Sequence, residues 1–167
     1  MELISNLESI SDHKTREYAF TAADFERIKN LIYKHAGISL SSSKQNMVYS
    51  RLARRLRANG LNNFNDYLNF LENGNPAEWE AFTNALTTNL TAFFREQHHF
   101  PILEKHIEKR KNQKKIQLWC SASSTGEEPY SMAMAMVEVF KTFTPPVHIL
   151  ATDLDTNVLA KAQLGIY

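Results

Sequence analysis

The sequence contains a single cysteine, Cys120, among its 167 residues. One thiol excludes an intramolecular disulfide, and the opening residues MELISNLESISDHKTR lack the basic start and long apolar run of a signal peptide. No stretch approaches the roughly 20 consecutive apolar residues that a membrane-spanning helix needs. These absences predict a protein of the reducing cytoplasm.

The sequence also lacks an excess of charge of either sign. Its 19 basic and 18 acidic residues give a net charge of +1. The chain as a whole therefore offers no electrostatic attraction for nucleic acid or for an anionic membrane. Its hydrophobic content of 43% is ordinary for a globular protein, and its length predicts one domain or two small ones.

Apolar residues recur at helical spacing from residue 21 to about residue 90. Four helices are predicted there, each with a start residue typical of helix N-termini. The predicted starts are Thr21 with Asp24 as a capping pair, Ser43, Asn63, and Asn75 followed by Pro76. Gly37 and Gly60 are predicted to end the first two. The short connections indicate a small helical bundle over residues 21–90, after a loose lead-in over residues 1–20.

Strand and helix patterns alternate in the last third of the chain. IQLWCSAS and VHILATDLD have the length and apolar content of buried strands. A helix is predicted between them, although its alternating methionines also fit a strand, and Thr156 is predicted to cap a last helix that Gly165 closes. This order predicts an α/β domain that begins at residue 116, preceded by an interdomain segment and linker helix over residues 91–115.

Two strands cannot pair all their edges, so the predicted sheet is incomplete. Either a partner supplies further strands, or the remainder of a larger sheet is absent from the chain. The fold class predicted is thus α plus α/β: a small helical bundle followed by the first β-α-β-α part of a parallel sheet with right-handed crossovers.

Acidic and small residues follow both predicted strands, at the edge where parallel α/β sheets bind ligands. The turn SASSTGEEP lets the backbone approach a ligand, and its Glu127 and Glu128 favour a cation over a phosphate. Asp153 can accept hydrogen bonds from both hydroxyls of a ribose, and Asp155 competes for this role. S-adenosylmethionine satisfies these constraints, since it carries a ribose, a sulfonium and an amino group. The structural alternative is that Thr125 and Glu128 form a capping box and Asp153 is a loop carboxylate.

A basic ridge lies on the second predicted helix. Lys44, Arg51 and Arg55 share one face, and Arg54 is adjacent. Two explanations account for the ridge equally well: a solvated helix surface, and a docking site for an acidic helix. Neither explanation is excluded by the sequence.

Three long segments resemble, in the same order, motifs of the chemotaxis receptor methyltransferases. They are LTTNLTAFFREQHHFPIL, STGEEPYSMAM and ATDLDTNVLAKAQLGIY, and the resemblance runs from about Phe20 to Tyr167. It implies a Rossmann-like domain and an S-adenosylmethionine-dependent protein-glutamate O-methyltransferase that forms methyl esters on chemotaxis receptors. The implied partners are the glutamate-bearing cytoplasmic helices of those receptors. The implied cofactor-binding residues are Asn89, Thr91, Arg95, Glu128 and Asp153.

The resemblance also implies a role for the segment over residues 86–100, which would reach from the helical domain over the cofactor. Phe93 and Phe94 would anchor it, and Arg95 would orient the substrate carboxylate or the cofactor carboxyl as a forked donor. No metal is expected, because His98, His99 and His106 lack a second cluster of ligands.

Members of this family continue past residue 167 with further strands and cofactor contacts. The activity of this chain alone is therefore left open. Two alternatives are a catalytically incomplete fragment that acts as a binding module and a methyltransferase on nucleic acid. The sequence does not predict the oligomeric state.

Overall fold

The computed structural model describes residues 16–167, so most of the predicted lead-in over residues 1–20 lies outside the described part of the chain. The described residues form two compact units that divide between Leu86 and Thr87. Each unit has its own hydrophobic core.

The first unit is helical, as predicted. Its elements are α1 (Ala22–Ala36), a short 3-10 turn (Ser42–Lys44), α2 (Gln45–Ala58), α3 (Phe64–Glu72) and α4 (Pro76–Leu86). Apolar side chains at helical spacing fill its core, because α1 to α4 each turn one apolar face inward. The fully buried ones include Phe25, Ile28, Leu52, Leu68 and Phe82, and burial of each contributes about 1.5–3 kcal/mol.

The ends of α1 confirm the predicted capping, whereas α2 begins at Gln45, after the 3-10 turn that contains Ser43, and has no side-chain cap. The Thr21 hydroxyl accepts a hydrogen bond from the Asp24 N–H at 3.1 Å, and the Asp24 carboxylate accepts one from the Thr21 N–H at 2.8 Å. Gly37 adopts a left-handed φ of 70° and donates its N–H to the Tyr33 carbonyl. A residue with a Cβ would be strained in this conformation. Local sequence signals therefore fix where α1 begins and ends.

A buried carboxylate, Glu78, links α4 to α2 and α3. Its side chain is 4% exposed and accepts two hydrogen bonds from the Arg55 guanidinium, at 2.6 and 3.0 Å. The Tyr67 hydroxyl and the Asn59 amide donate to it at 2.8 and 3.0 Å. Burial alone would raise the pKa of Glu78, but these hydrogen bonds outweigh it and hold the pKa below its usual range. Glu78 is therefore a charged, fully satisfied core group.

The second unit follows the predicted order of helix and strand. Its elements are α5 (His99–Glu108), β1 (Ile116–Cys120), α6 (Glu127–Phe140), β2 (Val147–Ala151) and α7 (Thr156–Leu164). The segment with alternating methionines is a helix, as Pro129 in its first turn indicates. The two strands are parallel and in register from Ile116 opposite Val147 to Cys120 opposite Ala151.

The core of this unit lies on one face of the sheet. Ile107 of α5 and Met136 of α6 are buried there against Ile116 of β1. On the other face, Trp119 is 68% exposed and Leu150 is 52% exposed. Parallel sheets are normally covered on both faces, so the observed sheet is the incomplete one that the sequence predicts.

One predicted cap is wrong. The N-cap of α7 is Asp155, whose side chain accepts from the Asn157 N–H at 2.9 Å, and Thr156 is the first helical residue. A carboxylate two residues before a free N–H competes successfully with the hydroxyl next to it. The predicted end at Gly165 is confirmed, with a left-handed φ of 60°.

Within residues 16–167 the structure contains no helix long and apolar enough to cross a membrane.

Candidate functional site

The residues that follow β1 and β2 are held side by side. The Thr152 N–H donates to the Cys120 carbonyl, and the Ser123 N–H donates to the Thr152 carbonyl, both at 2.9 Å. These bonds continue the pairing of the strands past their carboxyl ends. The turn over residues 121–126 and the segment over residues 152–155 therefore form one surface at the edge where such sheets bind ligands.

Asp153 lies at the centre of this edge. One carboxylate oxygen accepts the Ser124 N–H at 2.8 Å, and the other accepts the Asp155 N–H at 2.9 Å. A carboxylate offers about four acceptor positions, so each oxygen keeps capacity for a further donor. Two fixed oxygens with spare capacity suit the two hydroxyls of a ribose.

Ser124 adopts a left-handed backbone conformation, with φ of 47°. Such a conformation is costly for a residue other than glycine and persists where the surroundings enforce it, often at functional sites. Here the bond from its N–H to Asp153 enforces it. Its neighbour Ser123 is fully buried, and its hydroxyl has no hydrogen-bond partner among the described residues. Buried hydroxyls are rarely left so, which fits a site that a polar ligand completes.

Asp155, the competing candidate for the ribose, has a different environment. Its side chain is 3% exposed. Its carboxylate accepts from the Thr87 hydroxyl at 2.9 Å and from the Asn89 amide at 2.6 Å, in addition to capping α7. Because Asp155 is buried and takes three protein donors, whereas Asp153 takes two and is partly exposed, Asp155 is the poorer acceptor for a ligand.

Asn89 is joined to the same edge by its backbone as well. Its carbonyl accepts the Ser124 hydroxyl at 3.1 Å. Asn89, Asp155, Asp153 and Ser124 are thus connected in a closed cycle of hydrogen bonds, here called the four-residue ring. Since the amide nitrogen of Asn89 is used inside the ring, its Oδ1 atom is the group that it can offer to a ligand. Thr91, two residues further, is half-buried.

The acidic pair at the start of α6 is divided between two roles. Glu127 accepts the Thr125 hydroxyl at 2.6 Å. Glu128 is exposed, and its one donor among the described residues is the weak Sγ–H of Cys120, at 3.5 Å. The N-cap of α6 is Gly126, which makes no side-chain cap, so Thr125 and Glu128 do not form a capping box. Burial, and then the charge of Glu128, raise the pKa of the Cys120 thiol to about 11. The thiol is therefore un-ionised at neutral pH, and Glu128 is the carboxylate that faces outward.

Gly126 itself lies in a tight place. Its φ of 104° is left-handed, and a Cβ built on it would collide with the Tyr167 hydroxyl. That hydroxyl donates to the Thr125 carbonyl at 2.8 Å. The turn after β1 is therefore closed by Tyr167, which lies beyond the end of α7.

Arg95 lies between two residues in left-handed conformation, Phe94 with φ of 53° and Glu96 with φ of 54°. Its side chain is exposed and donates to the Leu90 carbonyl at 3.1 Å. The segment is fixed to α6 because the Phe94 N–H donates to the Ser131 hydroxyl at 2.9 Å. An arginine carries five N–H donors, so Arg95 retains donors for a carboxylate.

The residues of the basic ridge have unequal environments in the first unit. Lys44 precedes α2 and is exposed, as is Arg54. Arg51 donates to the Ala85 carbonyl at 3.1 Å, and Arg55 is paired with Glu78. The charge of Arg55 is thus neutralised locally, which leaves Lys44 and Arg54 as the more open charges.

Other features of the described residues do not form part of the candidate site. No group of three or more His, Cys, Asp or Glu among them is arranged to hold a metal ion. A cavity of about 460 Å³ lies between α6, β2 and α7, but its lining is largely apolar and includes none of the predicted site residues. His98 and His99 are in ring contact with each other and exposed.

The structure joins the predicted residues Asn89 and Asp153 through the four-residue ring, and the sequence interpretation missed several of the residues that hold them there. Ser124, Ser131 and Thr87 each support a predicted site residue or its segment. Their only signal in the sequence is that they are small and polar and lie near a strand end or a helix start. Asp153, Asn89, Glu128 and Arg95 all lie within the second unit, together with Thr91.

The second unit is, in its order of elements and in its polar strand ends, the beginning of a Rossmann-like α/β domain. Comparison with known proteins is more specific. Residues 23–87 match the family described as CheR methyltransferase, all-alpha domain, and residues 89–167 match CheR methyltransferase, SAM binding domain. The chain belongs to the CheR methyltransferase family.

Similar curated proteins agree with this assignment. The chain is 51% identical over 166 residues to the chemotaxis protein methyltransferase of Salmonella typhimurium, covering 99% of this chain and 57% of that protein. It is 51% identical to the chemotaxis protein methyltransferase of Escherichia coli, with coverage of 92% and 53%. It is 47% identical to chemotaxis protein methyltransferase 2 of Pseudomonas aeruginosa, with coverage of 91% and 54%. The chain thus spans little more than half the length of these relatives.

Proposed function

We propose that the chain carries the first part of the cofactor site of a cytoplasmic S-adenosylmethionine-dependent methyltransferase, which esterifies glutamate side chains on the cytoplasmic helices of chemotaxis receptors. The observation that carries the proposal is that Asp153, which the four-residue ring joins to Asn89, and Glu128 both keep acceptor capacity beside the carboxyl ends of the two strands. These residues fit the cofactor. Asp153 would hold the ribose, and Glu128 would attract the cationic amino-acid end. The names and domain descriptions of the relatives support this assignment.

Bound S-adenosylmethionine would supply an electrophilic methyl group. A glutamate substrate has an ordinary pKa near 4.3, so it is ionised at neutral pH and needs no general base. The chain's own contribution is then to position the two reactants, a contribution that can amount to several kcal/mol of the barrier. The Arg95 guanidinium is held by its hydrogen bond to the Leu90 carbonyl, in a segment with a left-handed residue on either side of Arg95.

The cofactor site is tested by calorimetric titration of S-adenosylhomocysteine, the demethylated product. It is added to the 167-residue chain and to a full-length form, in which this chain is continued by the C-terminal part of the Salmonella typhimurium relative. Binding by the full-length form with a stoichiometry of one is expected. Its failure to bind, while circular dichroism shows it to be folded, would contradict the proposal. Binding by the full-length form alone would mean that this chain holds too few of the contacts to bind the ligand by itself.

Arg95 is proposed to orient a carboxylate of the substrate or of the cofactor. Arg95→Ala in the full-length form is expected to lower kcat/KM for receptor methylation about 100-fold, because a charge-assisted forked contact contributes roughly 3 kcal/mol. Arg110→Ala is a matched control, since Arg110 also donates to a backbone carbonyl at the protein surface. Receptor methylation at a near-normal rate by Arg95→Ala would remove the assignment.

Docking of the acidic substrate helix is proposed to use the basic ridge of Lys44, Arg51, Arg54 and Arg55. Arg54→Glu is expected to raise KM about tenfold at low salt and to flatten its dependence on ionic strength, because one attractive charge becomes repulsive. Arg54 is the residue to reverse, since reversal of Arg55 would also break its pair with buried Glu78. Lys34→Glu on α1 is the control for a change in net charge. An unaltered salt response in Arg54→Glu would exclude docking through this ridge.

A further inference from the structure

Asp155 has more hydrogen-bonding partners than a helix cap requires. A cap uses one side-chain oxygen to accept one or two N–H groups of the first turn, and in Asp155 the N–H of Asn157 meets this need. The other oxygen accepts the Thr87 hydroxyl at 2.9 Å and the Asn89 amide at 2.6 Å. These two donors come from a distant part of the chain, so capping does not explain them.

The backbone of Asp155 is used as well. Its N–H donates to one oxygen of Asp153, whose other oxygen accepts the N–H of Ser124. The hydroxyl of Ser124 returns to the carbonyl of Asn89. Asp155 thus fixes the Asn89 side chain with its carboxylate and the Asp153 side chain with its N–H.

We propose that Asp155 is a positioning residue, which sets the segment over residues 87–91 and the carboxylate of Asp153 in one fixed arrangement for the cofactor. The proposal rests on the proposed cofactor site. Asp155 does not touch the ligand, because its carboxylate is 3% exposed and occupied by protein donors. It acts through Asn89, whose amide nitrogen it binds, which leaves Oδ1 as the side-chain atom that the ring does not use.

The substitution Asp155→Asn separates positioning from capping. Asparagine caps helices as well as aspartate does, so α7 keeps its start. The Thr87 hydroxyl can turn and accept from the new NH₂ group, but the amide nitrogen of Asn89 cannot, because a donor cannot accept from another donor. The Asn89 amide must then turn over or move away. Asp66→Asn in α3 is the matched control, because Asp66 also accepts a side-chain amide, that of Asn63 at 2.7 Å, at a helix start.

Two measurements on the full-length form test the proposal. Hydrogen–deuterium exchange without ligand is expected to become several-fold faster in residues 87–97 of Asp155→Asn, with α7 unchanged. The affinity for S-adenosylhomocysteine is expected to fall about tenfold, whereas in an Asn89→Ala background the same substitution should cost almost nothing more. Such non-additivity is the mark of one residue that acts through another.

The opposite results are equally clear. Unchanged exchange in residues 87–97 would overturn the proposal whether or not the ligand binds. An equal loss of affinity in both backgrounds would also overturn it, since Asp155 would then act through general stability rather than through Asn89. If the unaltered full-length form binds no ligand at all, it is the proposed function that fails, and the exchange result still decides whether Asp155 holds the segment.

Discussion

Asp153→Ala is expected to abolish measurable binding of S-adenosylhomocysteine, with a loss of affinity of at least about 100-fold. Each hydrogen bond from a ligand hydroxyl to a carboxylate contributes roughly 1.5–3 kcal/mol, and two such bonds are lost. The substitution also leaves the N–H groups of Ser124 and Asp155 without their acceptor. Ser124 would then leave its left-handed conformation, which displaces the turn after β1 as well.

The measurement is calorimetric titration of the full-length form. Glu138→Ala is the control, because Glu138 is an exposed carboxylate of the same unit that pairs with Lys141 at the far end of α6. Asp153→Asn is a second informative variant, since it keeps the size of the side chain but places an NH₂ group against one of the two backbone donors. Wild-type affinity in Asp153→Ala would show that the ribose is held elsewhere.

Glu78→Ala is expected to destabilise the helical unit by about 3 kcal/mol at neutral pH. Removal of one partner from a buried ion pair costs roughly 3–5 kcal/mol, and the low end applies because the Arg55 side chain is 28% exposed and can reach water. The buried Tyr67 hydroxyl also loses its acceptor. A loss of this size lowers the melting temperature of a small domain by roughly 12–24 °C.

The contribution of Glu78 depends on pH. Its pKa is lower in the folded than in the unfolded state, so its charge stabilises the fold above the ordinary glutamate pKa of about 4.3, and this stabilisation is lost as the pH falls through the folded value. The stability difference between the wild type and Glu78→Gln should therefore shrink below about pH 4.

Urea unfolding at pH 7 and at pH 3.5 checks both statements. The chain has two tryptophans, so in a Trp119→Phe background the fluorescence reports Trp79, which belongs to the helical unit. Glu26→Gln is the control, since Glu26 is an exposed carboxylate in an ion pair with Lys29. A stability difference that stays constant with pH would contradict the ion pair.

The parts of the fold that the sequence predicts are those with local causes. Thr21 and Asp24 are three residues apart, so their capping pair is visible in the sequence and is confirmed in the structure. The same holds for the apolar spacing of α1 to α4 and for Gly37 and Gly165 at helix ends. The fold class is confirmed for the same reason, because element order follows from local patterns.

The remainder depends on contacts between distant residues. Asn89 and Asp155 are 66 positions apart, and nothing in either neighbourhood indicates that one binds the other. The sequence therefore left Asp153 and Asp155 as competitors, whereas burial and protein donors distinguish them in the structure. The role of Glu78 was likewise not predictable from the sequence, where it is one acidic residue in the first turn of a helix. Only the packing of the helices makes it the partner of Arg55 and Tyr67.

Because Gly126 has no side chain, the Tyr167 hydroxyl can lie directly against its backbone. Any larger residue at position 126 would displace the Tyr167 ring. The edge-on contacts of this ring with Phe93, at 4.9 Å between centroids, and with Tyr130, at 5.4 Å, would then be lost. A substitution at Gly126 would therefore disturb the packing of these three aromatic rings and, through Phe93, the segment that contains Arg95. The fold of the second unit thus requires glycine at this position. In an alanine scan, Gly126→Ala should be the most disruptive of the glycine substitutions.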